Sequence, residues 1–240
     1  MQVTLEQRLS AGRHLGHQTR KWNPKRAGYT YGVRKGLHLI DLVKSRQQLL
    51  EARNFLAAQA ADGKTVLFIG TKPQASRAIE EAARRSRSFY VNERWLGGRL
   101  TNWRTVRSSL VRLHLLERQE QRGDFEKLPK KEAATLRQLH ERLSRFVGGL
   151  KGRRRLPDIV VLVGQPQELA AVAECRRLGI PRVTLLDTDC NPSLTEFGVP
   201  TNDDSATSIE LVLSELSDAI REGRRIWRTQ RRPTPKRNKA

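Results

Sequence analysis

The chain has 240 residues and carries 46 Lys and Arg against 25 Asp and Glu, a formal net charge of +21. This length suits one domain, or one domain with an inserted module, and it can bury a real core. No apolar run approaches the roughly 18 residues of a membrane span, and so large a cationic surplus points to a polyanion, most commonly nucleic acid.

Residues 4–12 read as a short helix opened by Thr4, with Leu5 and Leu9 four apart. Residues 13–37 read as irregular, because Gly16, Asn23-Pro24, Gly28, Gly32 and Gly36 interrupt them. Residues 39–60 form the next expected helix, with Leu39, Leu42, Val43, Leu49, Leu50 and Phe55 on one side. A repeating unit follows. Thr65 to Gly70 is an unbroken apolar run of the kind a strand buried on both faces requires, and Pro73 to Arg85 is a helix with proline in its first turn. Phe89-Tyr90-Val91, Asp158 to Val163 and Arg182 to Asp187 are three further strands. Helices are expected near 166–178 and over Ser205 to Glu222. This alternation predicts an α/β fold with a doubly wound parallel sheet, flavodoxin-like or Rossmann-like.

Between the second and third of these strands, Val106, Leu110, Leu113 and Leu116 form one narrow apolar stripe. Leu136, Leu139, Leu143 and Phe146 form another, and the breakers of Gly123 to Pro129 separate them. The pattern predicts an inserted antiparallel helical hairpin over 104–147. The expected organisation is a basic segment and first half-domain over 1–103, the hairpin, a second half-domain over 148–222, and a basic tail over 223–240.

The charge is concentrated. Residues 1–40 hold eight Lys and Arg with one acid, Lys151 to Arg155 hold four with none, and residues 221–240 hold nine with one acid. A near-neutral body with cationic segments is expected to bind phosphates in a salt-dependent way. Two stretches interleave cations with aromatics: His17 to Lys25 around Trp22, and Arg94 to Arg104 around Trp95 and Trp103. Guanidiniums pair bidentately with phosphate and rings can stack on bases; the competing reading packs each indole into the core.

Catalytic patterns are missing from the sequence. Gly70-Thr71-Lys72 lacks the upstream glycine of a phosphate loop, and no strand is followed by G-x-G-x-x-G. No nucleophile elbow or Cys-His pair stands out. Cys175 and Cys190 build neither a disulfide framework nor a zinc spacing. His14 and His17 could join Asp187, Asp189, Asp203 and Asp204 in a metal site. The simpler expectation is that these acids cap turns, with Asp203 and Asp204 at the start of the last helix; no metal and no cofactor are expected. The opening MQVTLEQRLS lacks an apolar leader and is neither Ser-rich nor acid-free, so an intracellular chain in a reducing compartment is expected.

The order of its motifs resembles the S-two family of small-subunit ribosomal proteins in its bacterial and plastid form. The resemblance runs over residues 4–222. It rests on Ala11-Gly12-Arg13-His14-Leu15-Gly16-His17-Gln18-Thr19-Arg20, Trp22-Asn23-Pro24-Lys25, Gly36-Leu37-His38-Leu39-Ile40-Asp41-Leu42 and Leu67-Phe68-Ile69-Gly70-Thr71-Lys72. It continues through Tyr90-Val91-Asn92-Glu93-Arg94-Trp95-Leu96-Gly97-Gly98, Leu128-Pro129-Lys130-Lys131-Glu132, Leu156-Pro157-Asp158, Leu178-Gly179-Ile180-Pro181 and Asn202-Asp203-Asp204. Thr101-Asn102-Trp103 and Leu186-Asp187-Thr188-Asp189-Cys190 look most like the cyanobacterial and chloroplast branch. The family usually has Met at position 99, an acid at 164 and 193, and Arg near 207, where this chain has Arg99, Gly164, Ser193 and Thr207.

The resemblance implies a structural, non-enzymatic role on a ribosome of the chloroplast stroma or bacterial cytoplasm, near the junction of head and body on the solvent side. The implied partners are small-subunit ribosomal RNA and neighbouring ribosomal proteins, including the mRNA-binding protein number one. Neither a membrane nor a second copy of the chain is implied. The residues expected at the RNA are Arg13, His17, Arg20, Lys21, Trp22, Lys25, Arg26, Arg34 and Lys35 in the first segment, Lys72 after the first long strand, and Arg94, Arg99 and Arg104 beside the hairpin. Lys151, Arg153, Arg154 and Arg155 follow it, and Arg224, Arg225, Arg228, Arg231 and Arg232 lie in the tail, which is expected to order against RNA. A nucleotide-dependent RNA-modifying enzyme using the sheet's crevice is the competing class, and a surface adhesion protein a third.

Overall fold

A computed structural model describes residues 9–230. Residues 4–8 of the expected opening helix, and Arg231 and Arg232, lie outside the described residues. The stretch expected to be irregular is instead a small antiparallel sheet of β1 (Leu15–Gln18), β2 (Thr30–Arg34) and β3 (Leu37–Ile40), in the order β1-β3-β2. Its strands are only four or five residues long. Gly32 sits at a register shift, so no alternation survives in the sequence. Lys35 and Gly36 close the β2–β3 hairpin with φ of 50° and 76°, the paired left-handed residues that a tight hairpin turn demands.

Helix α1 (Leu42–Ala61) follows, capped by Asp41, whose side chain accepts from Val43 N (2.9 Å) and Lys44 N (3.2 Å). The main sheet then begins with β4 (Val66–Ile69), α2 (Pro73–Ser86) and β5 (Phe89–Val91). Next come α3 (Trp103–Gln121) and α4 (Lys130–Val147), packed through Leu116, Phe125 and Ala133 with Leu136, Leu139 and Leu143 against them. β6 (Ile159–Leu162), α5 (Leu169–Arg177), β7 (Arg182–Leu186), β8 (Phe197–Pro200) and α6 (Ala206–Gln230) complete the described residues.

All pairings in the main sheet are parallel, in the order β5-β4-β6-β7-β8. Its strands are buried on both faces because successive residues feed two cores. Val66, Phe68, Ile159, Val161, Val183 and Leu185 pack beneath α1, α2 and α6. Leu67, Ile69, Val160 and Leu162 pack on the other side with Ala171, Val172 and Cys175 of α5. The fold is thus α/β and doubly wound. Strand β8 has no counterpart in the sequence reading: Phe-Gly-Val-Pro is short, broken by glycine and closed by proline, which suits only an edge strand. The last helix runs to Gln230, eight residues past the expected end at Glu222.

Helices α1 and α6 approach closely at Gly223. A Cβ there would lie 2.2 Å from the Ala57 carbonyl oxygen and 2.8 Å from Ala60 Cβ. Alanine favours a helix by about 1 kcal/mol over glycine, but the clash is with backbone and cannot be relieved by a rotamer. Gly223→Ala is therefore expected to destabilise the protein by about 2 kcal/mol net in urea unfolding; a stabilised variant would show that the two helices can separate freely.

Candidate nucleic-acid interface

In an open parallel sheet the carboxyl ends of the strands form the crevice where ligands bind. Here the protein's own first segment covers that edge. Arg26 donates to the carbonyls of Leu186 (2.9 Å) and Asp187 (3.1 Å) at the end of β7. Asn23 N donates to Thr188 O (3.0 Å), and His17 N to Thr188 Oγ1 (2.9 Å). Arg13 donates to Ser45 Oγ (2.9 Å) and Thr201 Oγ1 (3.3 Å), while Asn202 Nδ2 donates to Gly12 O (3.1 Å). The small sheet is therefore stitched to β7, β8 and α1.

A charged cluster lies at this seam. His17 Nδ1 is 3.2 Å from Asp187 Oδ1, and its Nε2 is 3.2 Å from Asp204 Oδ2 and 3.8 Å from Asp189 Oδ2. Lys72 Nζ reaches Asp203 Oδ1 (2.5 Å) and Asp204 Oδ1 (2.9 Å). His17, Asp187, Asp203 and Asp204 present ligand atoms within 4.8 Å of one another, without His14. The Lys72 ammonium already supplies a cation to two of these carboxylates. Asp203 and Asp204 are thus not the expected caps of α6; Ser205 Oγ accepts from Ser208 N (3.4 Å) instead.

These neighbours shift the titrations. Asp187 is the main influence lifting the His17 pKa from 6.5 to about 9; burial opposes it, and the charges of Asp187, Asp189 and Asp204 add to it. Burial opposes the charge on Lys72, but Asp203 and Asp204 outweigh it and hold its pKa above the usual range. Burial and Asp187 push the Asp203 carboxyl up from 3.8, against the pull of Lys72. A histidine raised on folding stabilises fully below its free value of 6.5 and loses that contribution as pH climbs through about 9. Stability is therefore expected to fall by roughly 3 kcal/mol between these limits. His17→Gln is expected to flatten that slope in chemical denaturation at stepped pH; an unchanged slope would assign it elsewhere.

The structure divides the residues expected at RNA into two groups. Arg20, Lys21, Lys25, Arg34, Lys35, Arg94, Arg104, Lys151, Arg154, Arg155, Arg225 and Arg228 are exposed. Lys151 also pairs with Glu117 of α3. Arg224 is half-buried. By contrast Arg13, Arg26, Lys72, Arg99 and Arg153 are buried, and each donates to at least one protein oxygen. Arg99 donates to Phe146 O (2.7 Å) and Arg94 O (3.0 Å), and Arg153 to Arg155 O (2.7 Å) while lying 4.7 Å over the Trp103 ring. Burial lowers the pKa of Arg99 and of Arg153 to about 10, opposed by Glu168 and Glu174 for Arg99 and by Asp158 for Arg153. His17 is half-buried in its acidic cluster. Trp22 stacks on His38 at 5.0 Å, so its ring is engaged within the protein.

Sequence reasoning overlooked Glu174 of α5. Its carboxylate gathers the whole turn before α3: Oε1 accepts from Trp95 Nε1 (3.0 Å) and Gly98 N (2.8 Å), and Oε2 from Leu100 N (2.8 Å), Thr101 N (3.0 Å) and Thr101 Oγ1 (3.2 Å). Burial alone would raise its pKa, but the donors at Thr101, Leu100, Trp95 and Gly98 bring it below the usual range. This turn holds Arg94 and Arg104 at its two ends.

Residues 8–223 match the family described as Ribosomal protein S2. The chain is 50% identical over 227 residues to the small ribosomal subunit protein uS2c of Oltmannsiellopsis viridis, covering 95% of each chain. It is 52% identical over 229 residues to uS2c of Paulinella chromatophora, covering 95% of this chain and 96% of the other. It is 51% identical over 222 residues to uS2 of Prochlorococcus marinus strain NATL1A, covering 92% and 96%. A family match across the doubly wound sheet, the helical pair and the small amino-terminal sheet alike makes this chain a member of the ribosomal protein S2 family.

Proposed function

We propose that this protein is a structural constituent of the small ribosomal subunit in a chloroplast or bacterial cytoplasm. It binds small-subunit ribosomal RNA and neighbouring ribosomal proteins, including the mRNA-binding protein number one, and performs no catalysis. The observation that carries this reading is the family match together with the placement of cations. Buried arginines fasten the scaffold, and exposed ones remain on its outside. Arg20, Lys21 and Lys25 lie in the connection from β1 to β2, Arg34 and Lys35 lie at the β2–β3 hairpin turn, and Tyr31, 79% exposed on β2, offers a ring to an unstacked base. Phosphate contacts of this kind position RNA without reading its sequence. The crevice that an enzyme of this fold would use is spanned by Arg26, Asn23 and His17.

The test is rebinding of purified protein to small subunits depleted of it, across a salt series. Wild-type protein is expected to bind with a steep negative slope of log affinity against log salt. Replacing Arg20, Lys21 and Lys25 together by Gln is expected to reduce that slope by about two, at roughly 0.7–0.9 for each phosphate no longer neutralised. Salt-independent binding, or none, would overturn the reading.

A further inference from the structure

We propose that a second RNA-backbone site lies at the opposite edge of the sheet, in an arginine-lined cleft between the end of α2 and the last turns of α6. This inference rests on the RNA-binding reading above and adds a location to it. Helix α2 leaves the carboxyl end of β4 and returns to the amino end of β5. Helix α6 likewise leaves the carboxyl end of β8 and runs back. Both therefore end at the amino edge, away from the edge covered by the small sheet.

The cleft has a volume of about 540 Å³ and is lined by Arg85 and Arg87 from the end of α2 and by Arg221, Arg224, Arg225 and Arg228 of α6. The four arginines of α6 are spaced three, one and three residues apart. They form one stripe over two turns, about 10 Å long. Among the described residues Asp218 is the single acid paired with any of the six: it takes Arg85 at 2.8 Å and Arg221 at 3.2 Å. Glu222 lines the cleft too and forms no ion pair among the described residues. Arg87, Arg224, Arg225 and Arg228 have no carboxylate within ion-pair distance among the described residues.

Helix capping explains part of this arrangement. Arg224 donates to the Arg87 carbonyl (2.5 Å) just past the end of α2, where a cation suits the helix dipole. Capping needs one guanidinium, and here four stand without an acid. Burial lowers the pKa of Arg224, and the nearby charges of Arg228 and Arg87 lower it further. An anion between these side chains would relieve that repulsion. The protein's sequence continues from α6 into residues 231–240, with five more Lys and Arg and no acid. A phosphodiester chain, with its repeating negative charge, matches a stripe of this length better than a single carboxylate does.

The experiment uses the full chain and small subunits depleted of it. The variant replaces Arg87, Arg225 and Arg228 by Gln, sparing the capping Arg224 and the Asp218-paired Arg85 and Arg221. Its melting temperature is expected to match wild type, and its salt slope to fall by about two. A photo-cross-linker at exposed Ile226 is expected to give an adduct that nuclease destroys. An unchanged slope in this variant, beside a reduced slope for the Arg20, Lys21 and Lys25 variant, overturns the second site and leaves the function standing. A nuclease-resistant adduct to a protein also overturns it. Loss of salt dependence in the wild type would instead remove the functional reading itself.

Discussion

Replacing Lys72 by methionine is expected to lower the free energy of unfolding by about 3 kcal/mol at pH 8. The reason is what the ammonium leaves behind. Asp203 and Asp187 are almost fully buried, at 0% and 1% exposure, and Lys72 Nζ lies 2.5 Å from Asp203. Asp204 is 57% exposed, so its pairing with Lys72 is screened and adds little. Methionine preserves the aliphatic stem. It also preserves the start of α2, because Lys72 sits at the N-cap without a side-chain cap bond. The dipole of α2 disfavours a cation there, so the carboxylates alone justify its position. At pH 5 the loss is expected to shrink, since Asp203 can then take up a proton in place of its lost partner. Adding Asp203→Asn to Lys72→Met is expected to restore at least half of the stability at pH 8. Equal losses at both pH values, with no rescue, would mean that the stem and not the charge holds the seam.

The parts of this fold that could be read in advance share one physical property. Strands β4, β6 and β7 are buried on both faces, so β4 and β6 are unbroken apolar runs and β7 departs from one only at Arg182 and Thr184, with no competing helical period. The helical stripes of α3 and α4 repeat every three or four residues over long spans and are equally plain. The small sheet escaped because glycines and register shifts remove its alternation. One signal was available: Lys35-Gly36 flanked by Arg34 and Leu37 is a two-residue hairpin turn.

The charged groups were harder, because a formula charge does not say which way a side chain points. Arg26 and Arg20 look alike in the sequence. The first is 1% exposed and donates to two carbonyls at the end of β7, while the second is exposed. Only the tertiary meeting of the small sheet with β7 separates them. Asp203 and Asp204 precede a helix and so resembled caps, yet Ser205 does that work and the acids face Lys72, which is 131 residues from Asp203 in sequence. Such long-range pairing has no local signature. The division into buried fasteners and exposed cations is what makes the charge usable. A scaffold that spends Arg13, Arg26, Arg99 and Arg153 on its own carbonyls and hydroxyls fixes the geometry in which Arg20, Arg34 or Arg154 is presented.

The clearest consequence of that division lies at Glu174, where truncation to alanine is expected to destabilise the protein by about 3 kcal/mol. Five donors from residues 95–101 converge on one buried carboxylate. Removing it leaves three backbone amides, one indole and one hydroxyl of that turn without an acceptor. The defect is local, so it is expected to appear first as opening of the turn. Amide exchange at Gly98, Leu100 and Thr101 is expected to accelerate by about a hundredfold, since each 1.4 kcal/mol is a factor of ten. Glu174→Gln is expected to cost less, because one amide oxygen still serves two donors while its NH₂ faces Leu100 N and Thr101 N. The pH dependence has a definite sign. A carboxyl whose folded pKa lies below 4.5 stabilises fully above that value and loses the contribution as pH falls through the folded pKa. Wild-type exchange at these amides is therefore expected to accelerate on acidification below pH 4.5 relative to the intrinsic rate, and the Glu174→Ala protein to show no such step. If the alanine variant keeps full protection at Leu100 and Thr101, the turn is held by its packing and Glu174 is incidental to the placement of Arg94 and Arg104.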